Sequence, residues 1–327
     1  MKNSDNYSVP HPDNACGNGF SDWLEVNLTP HCNAICSWCV EKKGWKPKHV
    51  ASWNDIADAA IGTKCKNIIL LGGEPTLHPE FQLIVERIFN AGLNPWVTTN
   101  GSRLNLKWVK QNMRHVFGVN ISIHHFDLLK NKEITGLNLN KTNLYNSIQY
   151  LLNEGVTIRL NCNCIKGYID SLDVIHLYLK WAKSMGVLKV RLAELKGDEE
   201  HFVNLADFFK ELNNDPFSKG CSTNVKIKGV EVNFRQMCGM QTTMRPCPSN
   251  PQIKDHHVLY YDGKLYNGWQ QIGENNMETK ELTKLLEKIK SGKISVEQAA
   301  ILIDKNHRKE IDKVKLSQPA GGGSCSY

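Results

Sequence analysis

The ten residues HCNAICSWCV, positions 31–40, set cysteines at 32, 36 and 39. Thiolates spaced this closely on one curved loop can converge on a metal centre. Structural zinc sites and iron–sulfur clusters that only carry electrons ordinarily take four protein ligands. Three cysteines leave one iron of a cubane cluster uncapped. An open position of that kind can hold a chelating small molecule, as the open position of a catalytic zinc does.

Holding three thiols in register takes a scaffold, and the rest of the chain offers one. Apolar, β-rich segments recur at 23–28, 67–73, 94–100, 116–124, 156–165 and 187–195. Helical patterns separate them at 53–62, 78–92, 104–113, 143–155 and 172–186, and a further helix is expected at 201–214. Strand–helix alternation of this length predicts an α/β fold, a parallel sheet curled into a partial (β/α)6 TIM-like barrel. Ligands of such folds gather at the C-terminal ends of the strands. The unusual residues fall there: the three cysteines after the first strand, GGEP (72–75) after the second, TTNG (98–101) after the third, SIHH (122–125) after the fourth and NCNC (161–164) late in the fifth.

Past residue 215 the alternation stops. Residues 225–236 read as a strand, and 258–269 as a hairpin turning at Asp262-Gly263. The expected organisation is a polar N-terminal segment (1–20), the barrel (21–215), a smaller C-terminal α+β domain (216–317) and a flexible glycine-rich tail (318–327).

With 41% hydrophobic and 22% charged residues, the composition is that of a soluble globular protein. No run of 18 apolar residues is present, so no membrane partner is expected. The polar opening lacks the apolar stretch of a secretion signal, which points to the cytoplasm, where thiols stay reduced. Eleven cysteines in that compartment favour metal or redox chemistry over disulfides. The formal charge of +7 is modest, and much of it lies in a C-terminal helical pattern with charges of both signs. A solvated helix face accounts for it, with no clear nucleic-acid binding.

The stretch CNAICSWC, with an aromatic residue before its last cysteine, resembles the signature of radical S-adenosylmethionine (SAM) enzymes. The resemblance implies that Cys32, Cys36 and Cys39 bind a 4Fe–4S cluster whose fourth iron is chelated by SAM. It implies that one electron from a flavodoxin- or ferredoxin-type reductant splits the sulfonium, giving a 5′-deoxyadenosyl radical that abstracts hydrogen from a substrate. Gly72, Gly73, Glu74 and Pro75 correspond to the family's motif around the methionine group, and Glu74 either orients that motif or accepts from the amino group. Trp38 is expected near the adenine; Thr99, Asn100, Ser122 and Asn161 are expected as polar SAM contacts. The catalytic residues beyond the cluster are not assigned. His124 and His125 point to opposite sides, one into the pocket and one structural. Asn161 and Asn163 share one strand face, while Cys162 and Cys164 share the other as core packing; Cys16 and Cys65 are incidental.

NCNCIKGYID (161–170), VRLAEL (190–195) and the DGKLYNGW hairpin (262–269) resemble the twitch-type GTP cyclases of molybdenum-cofactor synthesis, with departures in the C-terminal third. Cys238 and Cys247 are eight residues apart where those enzymes pair C-x2-C, and Asn267, Gly268 and Trp269 stand where a ligand cysteine is expected. Cys221, Cys238 and Cys247 are candidate ligands of a second iron–sulfur cluster, with Cys325 a candidate last ligand or reactive thiol. The leading substrate expectation is a peptide or small metabolite. The alternative is a purine nucleotide cyclised as GTP is, with Arg159, Arg191, Arg235 and Arg245 as candidate phosphate contacts. Two non-enzymatic readings stand beside these: an iron–sulfur electron carrier and a zinc-dependent nucleic-acid-binding module.

Overall fold

The computed structural model describes residues 22–43, 46–195, 198–212, 222–236 and 257–267. Their strands form one ten-stranded sheet in the order β10-β9-β1-β2-β3-β4-β5-β6-β8-β7. The central six are parallel and sequential: β1 (Trp23–Asn27), β2 (Asn67–Leu71), β3 (Asn94–Thr99), β4 (Gly118–Ser122), β5 (Thr157–Asn163) and β6 (Lys189–Ala193). Each lies within a segment expected from sequence. The helices that return the chain are α2 (Trp53–Gly62), α3 (Phe81–Asn90), α4 (Leu106–Asn112), α6 (Lys141–Asn153) and α7 (Leu172–Ser184). Two further helices, α1 (Val40–Lys43) and α5 (Leu128–Thr135), lie near the C-terminal strand ends. Ser52, Asn105, Asp127, Asn140 and Ser171 cap α2, α4, α5, α6 and α7 by accepting a backbone N–H of the first turn. Caps of this kind stabilise a helix by about 1 kcal/mol each.

Alternation along the strands sorts the core. Ile68 and Leu70, Val119 and Ile121, and Ile158 and Leu160 are buried in one large apolar cluster with helix residues such as Ile84, Ile88, Ile148 and Leu179. The opposite face looks into the barrel. Its floor is aromatic: Trp96 packs edge-on against Trp23 at 5.2 Å and tilts against Phe117 at 5.9 Å. Gly118 stands opposite Trp96 in the ladder, and a β-carbon there would collide with the indole ring.

The C-terminal strands continue this sheet at both edges. β8 (Val230–Arg235) pairs parallel with β6, and β9 (His257–Tyr260) pairs parallel with β1. The segment read as one strand at 225–236 is a hairpin of β7 (Ser222–Ile227) and β8, turning at Lys228 and Gly229 with φ of 49° and 87°. The hairpin at Asp262-Gly263 joins β9 to β10 (Leu265–Asn267) as expected. The helix expected at 201–214 is a 3-10 segment, Leu205–Leu212. The domain boundaries at 20, 215 and 317 fall outside the described residues. No described helix is long and apolar enough to cross a membrane.

Gly118→Ala forces the β-carbon into the Trp96 ring and should destabilise the barrel by about 1–3 kcal/mol, read as a lowered urea midpoint.

Candidate active site

The cysteine loop starts where β1 leaves the sheet. The Leu28 N–H still bonds the Leu71 carbonyl at 2.9 Å, and the next contacts come from the GGEP turn. Gly73 N–H donates to the Thr29 carbonyl at 2.7 Å, and Glu74 N–H to the His31 carbonyl at 2.8 Å. A β-carbon at Gly72 would lie 2.5 Å from Asn27 Oδ1 and 2.7 Å from the Thr29 carbonyl oxygen; one at Gly73 would run into the His31 carbonyl. The two glycines therefore bring the end of β2 against the backbone that carries Cys32. Farther along, Ile35 N–H donates to the Thr135 carbonyl of α5 at 2.8 Å, and Asn27 Nδ2 donates to Glu41 Oε1 of α1 at 3.0 Å.

Cys32, Cys36 and Cys39 are half-buried free thiols that act on one another electrostatically. Burial pushes the Cys36 thiol up to about 11, with Cys39 and Cys32 adding to the effect. Burial likewise raises Cys32, against an N–H bond from Ala34 at 3.4 Å. Crowded, half-buried thiols become thiolates when a cation compensates them, which is the environment of a metal centre. Among the described residues no three of His, Cys, Asp and Glu gather as ligands of a single ion do. A cubane asks for something else, since each thiolate meets a different iron. Asn100 Nδ2 also approaches Cys32 Sγ at 3.8 Å, and N–H donors to the sulfurs tune such clusters. The donor set fits a three-cysteine 4Fe–4S site.

Glu74 holds the neighbouring strand ends together. It is 1% exposed. Its Oε1 accepts from Thr76 N–H at 3.2 Å, from the Thr76 hydroxyl, and from the Thr99 hydroxyl at 2.6 Å; its Oε2 accepts from Asn100 N–H at 2.7 Å. Burial raises the carboxyl pKa, and these bonds to Asn100, Thr76 and Thr99 offset part of the rise. Asn100 in turn donates to Asn33 Oδ1 at 2.9 Å, inside the cysteine loop. Thr99 and Asn100 are thereby tied to the GGEP turn, and Pro75 is buried at the start of the short helix Pro75–Leu77.

Below the cysteines lies a cavity of about 290 Å3. Cys36, Trp38 and Cys39 line one end, and Thr98, Ser122, Asn161 and His124 line its wall together with Glu25, Arg159, Arg191, Glu194 and Arg235. Register orders the wall in rows. Asn120 is level with Arg159; Ser122 with Asn161, Arg191 and Asn233; Asn163 with Ala193 and Arg235. The three arginines thus climb diagonally across β5, β6 and β8 toward the strand ends. Sequence reasoning missed Glu25, Asn120 and Glu194. Their signal was present: polar residues at alternate positions of parallel strands that otherwise read as apolar throughout.

The paired histidines part as the alternation requires. His124 packs edge-on against Trp38, with ring centroids 5.7 Å apart, and its Nδ1 accepts from Asn163 N–H at 3.1 Å. Burial pushes its pKa down to about 4. His125 stacks on Phe126 at 4.5 Å, and its Nδ1 accepts from Asp127 N–H. Cys162 and Cys164 are buried in the core, where burial raises both thiols, and Cys65 packs at the core's margin. Cys16, Cys221, Cys238, Arg245, Cys247 and Cys325 lie outside the described residues.

Two outcomes follow from this geometry. Glu74→Ala strands the buried donors of Thr76, Thr99 and Asn100 and should cost about 3 kcal/mol in urea unfolding, with reduced iron retention after anaerobic desalting. His124 binds a proton less readily folded, near pH 4, than unfolded, near 6.5. Between those values the unfolded chain carries more protons, so stability falls as pH falls, by up to roughly 3 kcal/mol. Urea midpoints at pH 7 and pH 4.5 should show a smaller acid loss in His124→Asn than in the wild type.

Comparison with known proteins bears on these residues. Residues 26–177 match the family model described as the Radical SAM superfamily. The GTP 3′,8-cyclase of Aliarcobacter butzleri is 28% identical over 202 residues, 59% of this chain and 60% of that protein. The GTP 3′,8-cyclase of Aquifex aeolicus is 23% identical over 255 residues, 74% and 72% of the two chains. The probable GTP 3′,8-cyclase of Sulfurisphaera tokodaii is 30% identical over 178 residues, 53% and 55%. The chain thus spans less than two thirds of the length of two of these three curated relatives. Among solved structures, native anSMEcpe with bound AdoMet shares the fold with a TM-score of 0.52 at 14% identity, covering 76% of each chain. The stretch that matches the Radical SAM superfamily model, residues 26–177, thus carries the three cysteines on the loop after β1 together with the GGEP turn and the strand ends that surround them.

Proposed function

We propose that this enzyme activates a C–H bond of a compact, anion-bearing metabolite of the nucleotide class, seated in the barrel beneath the cysteine loop. The observation that carries the reading is the cavity. One end is formed by Cys36, Trp38 and Cys39, and its wall holds Arg159 and Arg191 on adjacent strands. At about 290 Å3 it is at the small end of small-molecule sites, which run from ~300 to 1,000 Å3. The relatives named GTP 3′,8-cyclase support a purine nucleotide.

Cys32, Cys36 and Cys39 would hold the cluster. When bound and reduced by a flavodoxin- or ferredoxin-type partner, it supplies the electron that breaks the SAM sulfonium, leaving methionine and a 5′-deoxyadenosyl radical. Gly72, Gly73 and Pro75 would hold the methionine end, with Glu74 fixing their turn. Trp38, Ser122 and Asn161 line the space where the adenosyl group would lie. His124 bounds that space with a neutral ring whose Nδ1 is committed to Asn163. The second-cluster ligands, Cys221, Cys238 and Cys247 with Cys325, and the domain limits at 20, 215 and 317, belong to this proposal as well.

Anaerobically reconstituted protein, given dithionite and SAM, should release 5′-deoxyadenosine, and GTP should accelerate that release. Replacing Cys32, Cys36 and Cys39 together by alanine should abolish it and remove about four irons, with irons left over if a second cluster exists. Product from the triple variant, or none from the wild type, would sink the reading.

A further inference from the structure

Arg235 ends β8 with its side chain on the cavity wall, and it is 2% exposed. Among the described residues its guanidinium makes no hydrogen bond, and Nε and Nη1 are enclosed without a partner. A guanidinium stays charged throughout the pH range of folded proteins. Burying it uncompensated is strongly unfavourable, so the site is complete only when an anion arrives. The surroundings leave room for one. Across the ladder stands Ala193, whose methyl group occupies little of the row, and beyond it Asn163. One row down, Asn161 Oδ1 is also buried without a donor. Glu194, whose N–H donates to the Arg235 carbonyl at 3.0 Å, directs Oε1 to the Leu205 N–H at 3.0 Å.

We propose that Arg235 seats an oxyanion of the substrate, a carboxylate or a phosphate. The inference rests on the reading that the substrate occupies this cavity, and it adds the residue that selects for charge at the end of the cavity nearest the strand termini. The guanidinium offers a planar fork on its Nε–Nη2 and Nη1–Nη2 edges, and such forks match carboxylate and phosphate oxygens two at a time. Arg159 and Arg191 lie lower on the same diagonal, so positive charge continues along the barrel wall beneath the anion.

The test uses full-length, cluster-loaded protein with saturating SAM and two probes, pyrophosphate and malonate, titrated calorimetrically. Wild type should bind at least one, which tells phosphate from carboxylate. Arg235→Gln should weaken that binding by about 10- to 100-fold, and Arg235→Lys, a point charge without the fork, should fall between. In buffer free of both anions, Arg235→Met should melt at a higher temperature than wild type, because the uncompensated charge is gone. The binding anion should then raise the wild-type midpoint and not that of Arg235→Met. The proposal is overturned if wild type binds neither anion, if Arg235→Gln binds as wild type does, if its defect is in SAM affinity instead, or if Arg235→Met melts lower. These measurements need no reductant or turnover. Release of 5′-deoxyadenosine by wild type therefore tests the enzymatic reading separately.

Discussion

The carboxylate of Glu74 is the constraint on which the site depends. Four donors from Thr76, Thr99 and Asn100 converge on two buried oxygens. A charge at this depth is tolerable only when hydrogen bonds replace its lost water. Those bonds also fix geometry across three strand ends. They hold the turn after β2 to the end of β3, and Asn100 passes the restraint on to Asn33 and Cys32. The backbone bonds from Gly73 and Glu74 to the cysteine loop close the ring. A three-thiol site on a loop has little rigidity of its own. Here it borrows the rigidity of the sheet through one carboxylate.

The barrel interior trades stability for chemistry. Parallel strands are ordinarily apolar on both faces, and this sheet keeps that rule on the helix-facing side alone. Inside, the apolar rule survives mainly at the floor, where Trp96 fills the space left by Gly118. Above that floor β1, β4, β5, β6 and β8 present Glu25, Asn120, Ser122, Arg159, Asn161, Arg191 and Arg235, and Glu194 follows the end of β6. Buried charge on this scale is costly unless compensated. A fold under no functional demand would place aliphatic side chains at these positions. The polarity of the inner face is thus a property of the site, and the aromatic floor sets how deep a ligand can go.

Much of this was legible in the chain. The six parallel strands follow from β-rich runs separated by helical periodicity, and the cysteine and GGEP segments fall at strand ends for that reason. What escaped has identifiable causes. Helix α5 reads LLKNKEIT, and two of its buried residues are Asn131 and Thr135, so apolar spacing does not mark it. Its capping pair, Asp127 and Gly136, was the available cue. The β7–β8 hairpin was read as one strand although the apolar parity shifts at its turn, from Val225 and Ile227 to Val230, Val232 and Phe234. The hydrogen-bond ring around Glu74 could not be read at all. Which hydroxyls and amides meet a carboxylate is decided by the stacking of β2 beside β3, not by any local pattern.

Strand stagger links these observations to substrate placement. In a curled parallel sheet each neighbouring strand is offset, and side chains two residues further along step toward the strand ends. Arg159, Arg191 and Arg235 follow that step, so positive charge rises along a diagonal as the wall passes from β5 to β8. Cys36 and Cys39 are reached from β1, on the other side of the opening. A ligand held by the upper arginine must therefore span the mouth of the barrel to approach the thiols. The bond presented for reaction then depends on the distance between its anionic group and its reactive carbon. Reach, more than pocket shape, would be the quantity that separates substrates here.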